Sequence, residues 1–198
     1  ASIFFKGIAA GCDMVMQSLS KYVSGHSDLM MGSVSATPAA FARLRRTAWA
    51  LGQCVSGDEA ALALRGLRTL PVRLRHQQAS ALKVAHFLDA HPRVARVLHP
   101  ALPGCPGHDL WCRDFSGASG LFGFEIAGEV DRARFCDPLH HFRLGYSWGG
   151  FESLIIPAHA TRRLAPLAPG RSLFRLSIGL EDPDDLIADL SAALDRIG

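Results

Sequence analysis

The sequence predicts an α/β protein built in two parts, and three stretches support this fold class. Near the N-terminus a short apolar run, Met14–Met16, follows a Gly-Cys-Asp turn and leads into a lysine between serines. A long helical stretch comes next, from about Asp58 to His91. Beyond Pro92, strand-like and helix-like segments alternate, which predicts an α+β domain with a mainly antiparallel sheet. With 198 residues, the chain can form one domain, or one domain with part of another.

The N-terminal part is predicted to contain one strand and one helix. Residues 1 to about 30 have the pattern of a helix or loop, then the strand at Met14–Met16, then a turn around Lys21. From Pro38 to about Ala50 apolar residues recur at three- and four-residue spacings, which is typical of one face of a helix.

The long helical stretch is expected to link the two parts of the chain. Its apolar stripe consists of Leu70, Leu74, Ala81, Ala85 and Leu88. Pro71 predicts a kink or a fresh helix start, because proline lacks the backbone N–H that a helix interior needs. Charges on such helices are usually solvated or paired with a neighbouring subunit. We expect this of four arginines in the stretch, Arg65, Arg68, Arg73 and Arg75.

The C-terminal part is predicted to contain three strands and two helices. The strands are Val94–Leu98, Leu121–Ala127 and Phe174–Ile178, each with apolar residues on a shared face. Glu129–Leu139 has the pattern of a helix between the second and third strands. The chain closes with a helix whose start is marked by Asp182-Pro183, an N-cap residue followed by a proline at the first helical position.

Charge and composition argue against several classes of function. A net charge of +3 is too small to indicate a nucleic-acid or membrane partner, and no apolar run approaches membrane-spanning length. The five cysteines lack Cys-x-x-Cys spacing, so they suggest neither a disulfide framework nor a zinc site. The adjacent pair His140-His141 would point apart on a strand or helix and makes poor metal ligands. We expect no metal site and a reducing, cytoplasmic location.

The segment Ser18–Asp28 carries the chemistry. A lysine at the C-terminal end of a strand lies where ligands of open α/β sheets bind. The Lys21 amine can condense with an aldehyde, and the hydroxyls of Ser18 and Ser20 can bind an anion such as phosphate. These groups suit pyridoxal 5'-phosphate (PLP) held as a Schiff base. The alternative is that Lys21 is an ordinary solvated lysine.

The run Ser-Leu-Ser-Lys-Tyr…Gly-His-Ser-Asp resembles the Ser-x-Thr-Lys-Tyr…Gly-His-Ser-Asp segment of the Cys/Met-metabolism PLP enzymes, which have fold type I. The resemblance covers the whole chain. Further matching segments are Arg65–Leu70, His99–Gly104, Gly117–Phe122 and Arg175–Asp182. Tyr146–Ser153 resembles the bacterial cystathionine β-lyases, whereas the γ-enzymes usually carry Ser-Leu-Gly-Gly at this place. The resemblance implies that Lys21 binds PLP and serves as general base, and that Ser18 and Ser20 bind its phosphate.

The resemblance also implies three substrate-binding residues. Arg175 would hold the α-carboxylate of an amino acid, a role that suits a planar guanidinium projecting opposite apolar strand neighbours. Ser147 would bind the same carboxylate, and Trp148 would form a wall of the substrate pocket. The alternatives are an interdomain salt bridge for Arg175 and core packing for Trp148.

The implied reaction is β-elimination from L-cystathionine, giving homocysteine, pyruvate and ammonia in methionine biosynthesis by transsulfuration. The resemblance also implies a cytoplasmic homotetramer. Residues 1–67 would be the end of the large PLP-binding domain, and residues 68–198 the C-terminal small domain. The chain would then be a C-terminal half that lacks the acid pairing with the pyridine nitrogen, and we expect it to be inactive alone. The alternatives are a γ-lyase or γ-synthase of the same family, or a non-catalytic interaction module.

Overall fold

The structure is a computed structural model and describes residues 3–159 and 170–197. The described elements, in chain order, are β1 (Met14–Ser18), β2 (Gly32–Ala36), α1 (Pro38–Ala50), α2 (Gly57–Ala90), β3 (Val94–Leu98), α3 (His108–Asp114), β4 (Leu121–Ala127), α4 (Arg132–Cys136), β5 (Arg143–Leu144), β6 (Leu154–Ala158), β7 (Arg171–Ser177) and α5 (Pro183–Arg196). None of the described helices combines the length and apolarity that crossing a membrane would require.

An antiparallel hairpin of β1 and β2 carries the lysine between its strands. The pairing runs from Met14 opposite Ala36 to Ser18 opposite Gly32. The seven residues Leu19–Gly25, here called the lysine turn, follow β1 directly. The strand predicted at Met14–Met16 is confirmed, but its partner β2 was not predicted.

The C-terminal part contains a five-stranded sheet of order β3-β4-β7-β6-β5. All neighbours are antiparallel except β5 and β6, which are parallel, so the predicted mainly antiparallel α+β arrangement is confirmed. The alternation predicted in the last strand is also confirmed, because Phe174 and Leu176 are fully buried while Arg175 lies on the other face. The strand begins three residues earlier than predicted, at Arg171.

Helix α2 is continuous through Pro71, so of the two predicted alternatives the fresh start is wrong and the kink stays a prediction. A proline removes one hydrogen bond from a helix interior. Leu70 and Leu74, on either side of it, are buried and hold the helix by packing. The helix begins at a capping box, in which the Ser56 side chain accepts the backbone N–H of Glu59 and the Glu59 carboxylate accepts the N–H of Ser56. The predicted domain boundary between residues 67 and 68 falls inside this helix and stays a prediction.

The helix predicted over Glu129–Leu139 is shorter, and its neighbours explain why. Asp131 caps α4 by accepting two backbone N–H groups, so the helix cannot begin at Glu129. The N–H of Val130 instead donates to the Ser172 hydroxyl on β7 at 2.9 Å. Beyond the helix, three successive N–H groups from residues 140–142 donate to the Asp189 carboxylate on α5.

Two core clusters meet along α2. The larger lies between the sheet and the helices α2 and α5, and it includes the stacked rings of Phe124 and Phe174. The smaller lies under the lysine turn and contains Tyr22, Val23, Leu70 and Leu74. The same helix therefore supports both the lysine turn and the sheet.

Candidate active site at the lysine turn

The lysine turn is a short helix-like turn whose carbonyl groups accept local donors. The N–H of Ser24 donates to the Leu19 carbonyl and the N–H of Gly25 to the Lys21 carbonyl, both at 2.9 Å. The Ser24 hydroxyl donates to the Ser20 carbonyl at 3.1 Å. The backbone on both sides of the Lys21 side chain is therefore fixed.

Arg73 on α2 binds the end of this turn. Its Nη1 donates to the Tyr22 carbonyl at 2.8 Å, and its Nη2 donates to the carbonyls of Val23 at 3.1 Å and Gly66 at 2.8 Å. Its Nε donates to the Thr69 hydroxyl at 3.0 Å. Only 6% of Arg73 is exposed, and this burial lowers the pKa of its guanidinium. The prediction of a solvated or subunit-paired arginine is wrong here, because the side chain points into the protein and finds backbone oxygens.

The loop that contains Ser147 and Trp148 meets the lysine turn. Lys21 Nζ donates to Ser147 Oγ at 2.9 Å and lies 4.6 Å from the centre of the Trp148 ring. Gly149 makes this approach possible, because its φ is +78° and an added Cβ would lie 2.9 Å from the backbone nitrogen of Tyr22. Residues that are 126 positions apart in the sequence are thus brought together.

Arg175 on β7 supports the same loop. Its Nη2 donates to the carbonyls of Gly145 at 3.3 Å, Tyr146 at 2.9 Å and Ser147 at 3.0 Å. All three bonds use Nη2, so Nη1 makes no hydrogen bond to these carbonyls. Its Cζ atom lies 5.5 Å from the centre of the Trp148 ring, and burial lowers the pKa of its guanidinium.

The site is rich in positive charge. Lys21 and Arg175 both lie against the Trp148 ring, and among the described residues no carboxylate is within ion-pair distance of either cation. The salt-bridge alternative for Arg175 therefore finds no partner in this part of the chain. Burial raises the pKa of the neighbouring Tyr22, against the opposing effects of the Ser119 hydroxyl and the Arg175 charge. Two cations without an anionic partner favour an anionic ligand.

The two predicted phosphate-binding serines differ in their surroundings. Ser18 is the last residue of β1 and is exposed. The Ser20 hydroxyl accepts the N–H of Met31 at 2.9 Å and donates to the Met31 carbonyl at 3.3 Å. The hydroxyl proton of Ser20 therefore bonds to the Met31 carbonyl across the hairpin. To donate to a phosphate oxygen, the hydroxyl must give up this bond. Both roles stay predictions.

Sequence reasoning missed two buried polar residues that hold the site from below. One is Arg73. The other is Gln77, which is fully buried and whose Nε2 donates to the Gly150 carbonyl at 2.9 Å. A signal was present, because residues 70, 73, 77 and 81 follow the three- and four-residue spacing of the buried stripe. A polar residue in such a stripe must find a partner inside the protein.

Glu152 accepts the Ser27 hydroxyl at 2.8 Å. The adjacent Ser153 was not singled out by its sequence. Its N–H and hydroxyl donate to the two oxygens of Glu181 at 2.7 and 2.8 Å, and its hydroxyl accepts the N–H of Gly179. These bonds hold the end of β7 against the segment that follows Trp148. The described residues contain no group of three or more His, Cys, Asp or Glu side chains that could hold a metal ion.

Comparison with known proteins gives consistent relatives. Residues 1–195 match the sequence profile of the family described as Cys/Met metabolism PLP-dependent enzyme. A cystathionine beta-lyase of Escherichia coli (strain K12) is 46% identical over 206 aligned positions, which cover 100% of this chain and 52% of that protein. A cystathionine gamma-lyase of Dictyostelium discoideum is 40% identical, over 94% of this chain and 50% of that protein. The chain spans about half the length of the curated relatives it matches.

The fold is shared with solved structures. A cystathionine gamma synthase from Xanthomonas oryzae pv. oryzae, solved in complex with cystathionine, superposes with a TM-score of 0.88 at 40% identity. The superposition covers 98% of this chain and 52% of that one. The predicted fold-type-I architecture is confirmed by this likeness.

Proposed function

Because the chain belongs to the Cys/Met metabolism PLP-dependent enzyme family, we propose that it supplies the lysine and the substrate-binding residues of a carbon–sulfur lyase. The preferred reaction is β-elimination from L-cystathionine, giving homocysteine, pyruvate and ammonia for methionine biosynthesis. One observation carries the proposal. The Lys21 amine lies 2.9 Å from the Ser147 hydroxyl, beside an arginine with no carboxylate partner among the described residues. A cytoplasmic homotetramer, with no nucleic-acid or membrane partner, stays a prediction from the resemblance.

The residues present fit PLP, which is an aromatic aldehyde that carries a phosphate. Lys21 offers a primary amine within reach of a polar loop, and the cluster of Lys21 and Arg175 favours a ligand that carries negative charge. Lys21 would hold the aldehyde carbon, and Ser18 and Ser20 would hold the phosphate at the end of β1. When bound, PLP supplies an electron sink for the electron pair left at the substrate Cα.

The protein's own groups would orient the substrate and move its protons. Arg175, with Nη1 outside its bonds to the loop, would bind the α-carboxylate together with the Ser147 hydroxyl. Lys21 Nζ would take the proton from Cα and return it to the departing sulfur. Since Arg175 Nη2 also holds the Ser147 carbonyl, one arginine would fix both the substrate and the hydroxyl beside the base. Trp148 would pack beside both cations and exclude water from one side.

A γ-lyase or γ-synthase is the second candidate, and the relatives named above favour it. The Dictyostelium gamma-lyase and the Xanthomonas gamma synthase are both 40% identical to this chain. Trp148 in the Tyr-Ser-Trp-Gly-Gly segment favours the β-reaction, since the γ-enzymes usually carry Ser-Leu-Gly-Gly there. A non-catalytic interaction module would give no reason for Lys21, Ser147 and Arg175 to meet.

The products of L-cystathionine distinguish these candidates. A full-length protein that contains this chain, loaded with PLP, should release pyruvate, homocysteine and ammonia by β-cleavage, whereas γ-cleavage gives 2-oxobutanoate, cysteine and ammonia. Borohydride reduction followed by peptide mapping should leave the pyridoxyl group on Lys21, with Lys21→Ala as the control. The only other lysines are Lys6 and Lys83, and a label on either would refute the proposed site. Release of 2-oxobutanoate alone would refute the β-reaction.

A further inference from the structure

We propose that Arg73 is a positioning residue for Lys21. Its buried guanidinium ends the lysine turn and so fixes the place of the amine relative to Ser147. This inference deepens the proposed function and rests on it for the role of the lysine. Arg73 makes no contact with the Lys21 side chain among the described hydrogen bonds, and it acts on the backbone that follows.

The last carbonyl groups of a helical turn have no donor within the turn itself. In the lysine turn, the carbonyls of Leu19, Ser20 and Lys21 are satisfied by Ser24 and Gly25. The next two carbonyls, those of Tyr22 and Val23, are satisfied by Arg73. A side chain from α2 thus does for this turn what a C-cap does for a longer helix.

The choice of an arginine is costly and therefore informative. Burying a cation without a carboxylate carries a large desolvation penalty, and the four acceptors of Arg73 are all neutral oxygens. The planar guanidinium directs two nitrogens at two successive carbonyls, which fixes the peptide planes of Tyr22 and Val23 relative to each other. An ammonium is a single point charge and cannot fix two planes in this way.

The packing of α2 against the turn leaves little freedom around Arg73. A Cβ on Gly66 would lie against the carbonyl oxygens of Val23 and Ser24 and 2.7 Å from the Ser24 Cα. The helix backbone therefore touches the turn at Gly66, about two helical turns before Arg73 crosses to it. The Tyr22 carbonyl, held by Arg73, belongs to the second peptide after Lys21. The peptide directly after Lys21 is held by the bond from the Gly25 N–H to the Lys21 carbonyl. Loss of the Arg73 bonds would loosen the end of the turn that carries this N–H, and so would change the direction of the Lys21 Cα–Cβ bond and move the amine.

The test compares two replacements of Arg73 with a control from the same helix. Arg73→Met keeps the length and loses every donor, and Arg73→Lys keeps the charge and loses the fork. Arg75→Met is the control, because Arg75 is exposed two residues further along α2. The first readout is amide hydrogen exchange at Ser24 and Gly25, measured without PLP. We expect exchange there to rise about 10-fold in both Arg73 variants and to stay unchanged at β7, because buried carbonyls lose charged donors only in the turn.

The second readout uses the full-length protein that contains this chain, loaded with PLP. In both Arg73 variants we expect a shifted pH dependence of the absorption band of the lysine-bound cofactor. We also expect kcat to fall about 100-fold, as a misplacement of the order of 1 Å can cause. The KM for L-cystathionine should stay within about 3-fold, because none of the Arg73 hydrogen bonds reaches Arg175 or Ser147. The Arg75→Met control should match the unaltered protein in every measurement.

Three results would overturn the inference. Unchanged exchange at Ser24 and Gly25 in Arg73→Met would show that the arginine does not hold the turn. Full recovery in Arg73→Lys would show that charge, and not the fork, is what matters. If Arg73→Met does not fold, Thr69→Val removes the acceptor of Arg73 Nε together with that hydroxyl's own bond to the Gly66 carbonyl, and exchange in that variant unchanged from the control would count against the inference. If borohydride labels another lysine while exchange rises as expected, the proposed function fails, but the conclusion that Arg73 holds the lysine turn stands.

Discussion

Replacing Arg175 with alanine is expected to weaken substrate binding far more than cofactor binding. The guanidinium is proposed to bind the substrate α-carboxylate, and its Nη2 also holds the carbonyls of Gly145, Tyr146 and Ser147. Among the described residues it makes no hydrogen bond to Lys21. The variant therefore loses a carboxylate partner and loosens the loop that carries the Ser147 hydroxyl, while the lysine turn keeps its own bonds.

The size of the effect follows from these two losses. Removing one partner of a charge-assisted contact to a carboxylate costs about 2–5 kcal/mol. The three bonds to the loop lie at a partly exposed edge where water can replace them, so we add about 1 kcal/mol for the loosened loop. Together these give about 3–6 kcal/mol, or roughly a 10²- to 10⁴-fold fall in kcat/KM. Arg175→Lys should lose less, roughly 10- to 100-fold, because it keeps the charge without the fork.

The assay uses the full-length protein that contains this chain. It follows initial rates of pyruvate release against L-cystathionine concentration, with the cofactor absorption band recorded on the same samples. The control is Arg93→Ala, since Arg93 is exposed beside β3 at the far edge of the sheet. A kcat/KM within about 3-fold of the unaltered protein would return Arg175 to a purely structural role. Loss of the absorption band would instead mean that Arg175 acts on the cofactor.

Three further outcomes are expected. Burial, with a smaller effect of His86, lowers the pKa of His99 to about 4 from 6.5, so the unfolded chain binds the proton first as pH falls. The free energy of unfolding should then drop by up to about 3 kcal/mol between pH 6.5 and 4, and this slope should flatten in His99→Gln. Cys136 is buried with its thiol pKa raised to about 11, so a thiol reagent should label exposed Cys12 readily and leave Cys136 unlabelled until unfolding. The Asp189 carboxylate accepts three successive backbone N–H groups, so Asp189→Asn should lower the free energy of unfolding in urea by about 1–3 kcal/mol. The control Asp185→Asn, at an exposed position of the same helix, should lower it little.

Segments whose pattern is local were predictable. The periodic stripe of α2 and the alternation of β7 both follow from side chains that face one core, and both are confirmed. Strand β2 was missed because Gly-Ser-Val-Ser-Ala contains a single large apolar residue, Val34, and the segment is a strand through its pairing with β1. Helix α4 was predicted too long because Ser172 and Asp189, far away in the sequence, take the N–H groups on either side of it.

The candidate site was predictable from motifs but not from periodicity. Lys21 and Arg175 came from the family resemblance and from strand alternation, and the structure brings both against Trp148. The bonds from Ser20 to Met31 could not be foreseen, because they depend on how the hairpin closes. Arg73 was misjudged because a charged residue on a helix is usually solvated.

The spacing between Arg73 and Gln77 sets the dimensions of the site. The two residues are four apart on α2, so their Cα atoms differ in height by about 6 Å and lie on nearly the same face of the helix. One holds the lysine turn, and the other holds Gly150, just beyond the loop with Ser147. The helix therefore fixes the distance between Lys21, the proposed base, and the loop that carries Ser147. Inserting one residue between them would rotate Gln77 by about 100° around the helix axis relative to Arg73. The bond to Gly150 would be lost and the loop would detach from the lysine turn, although both motifs would still be present in the sequence.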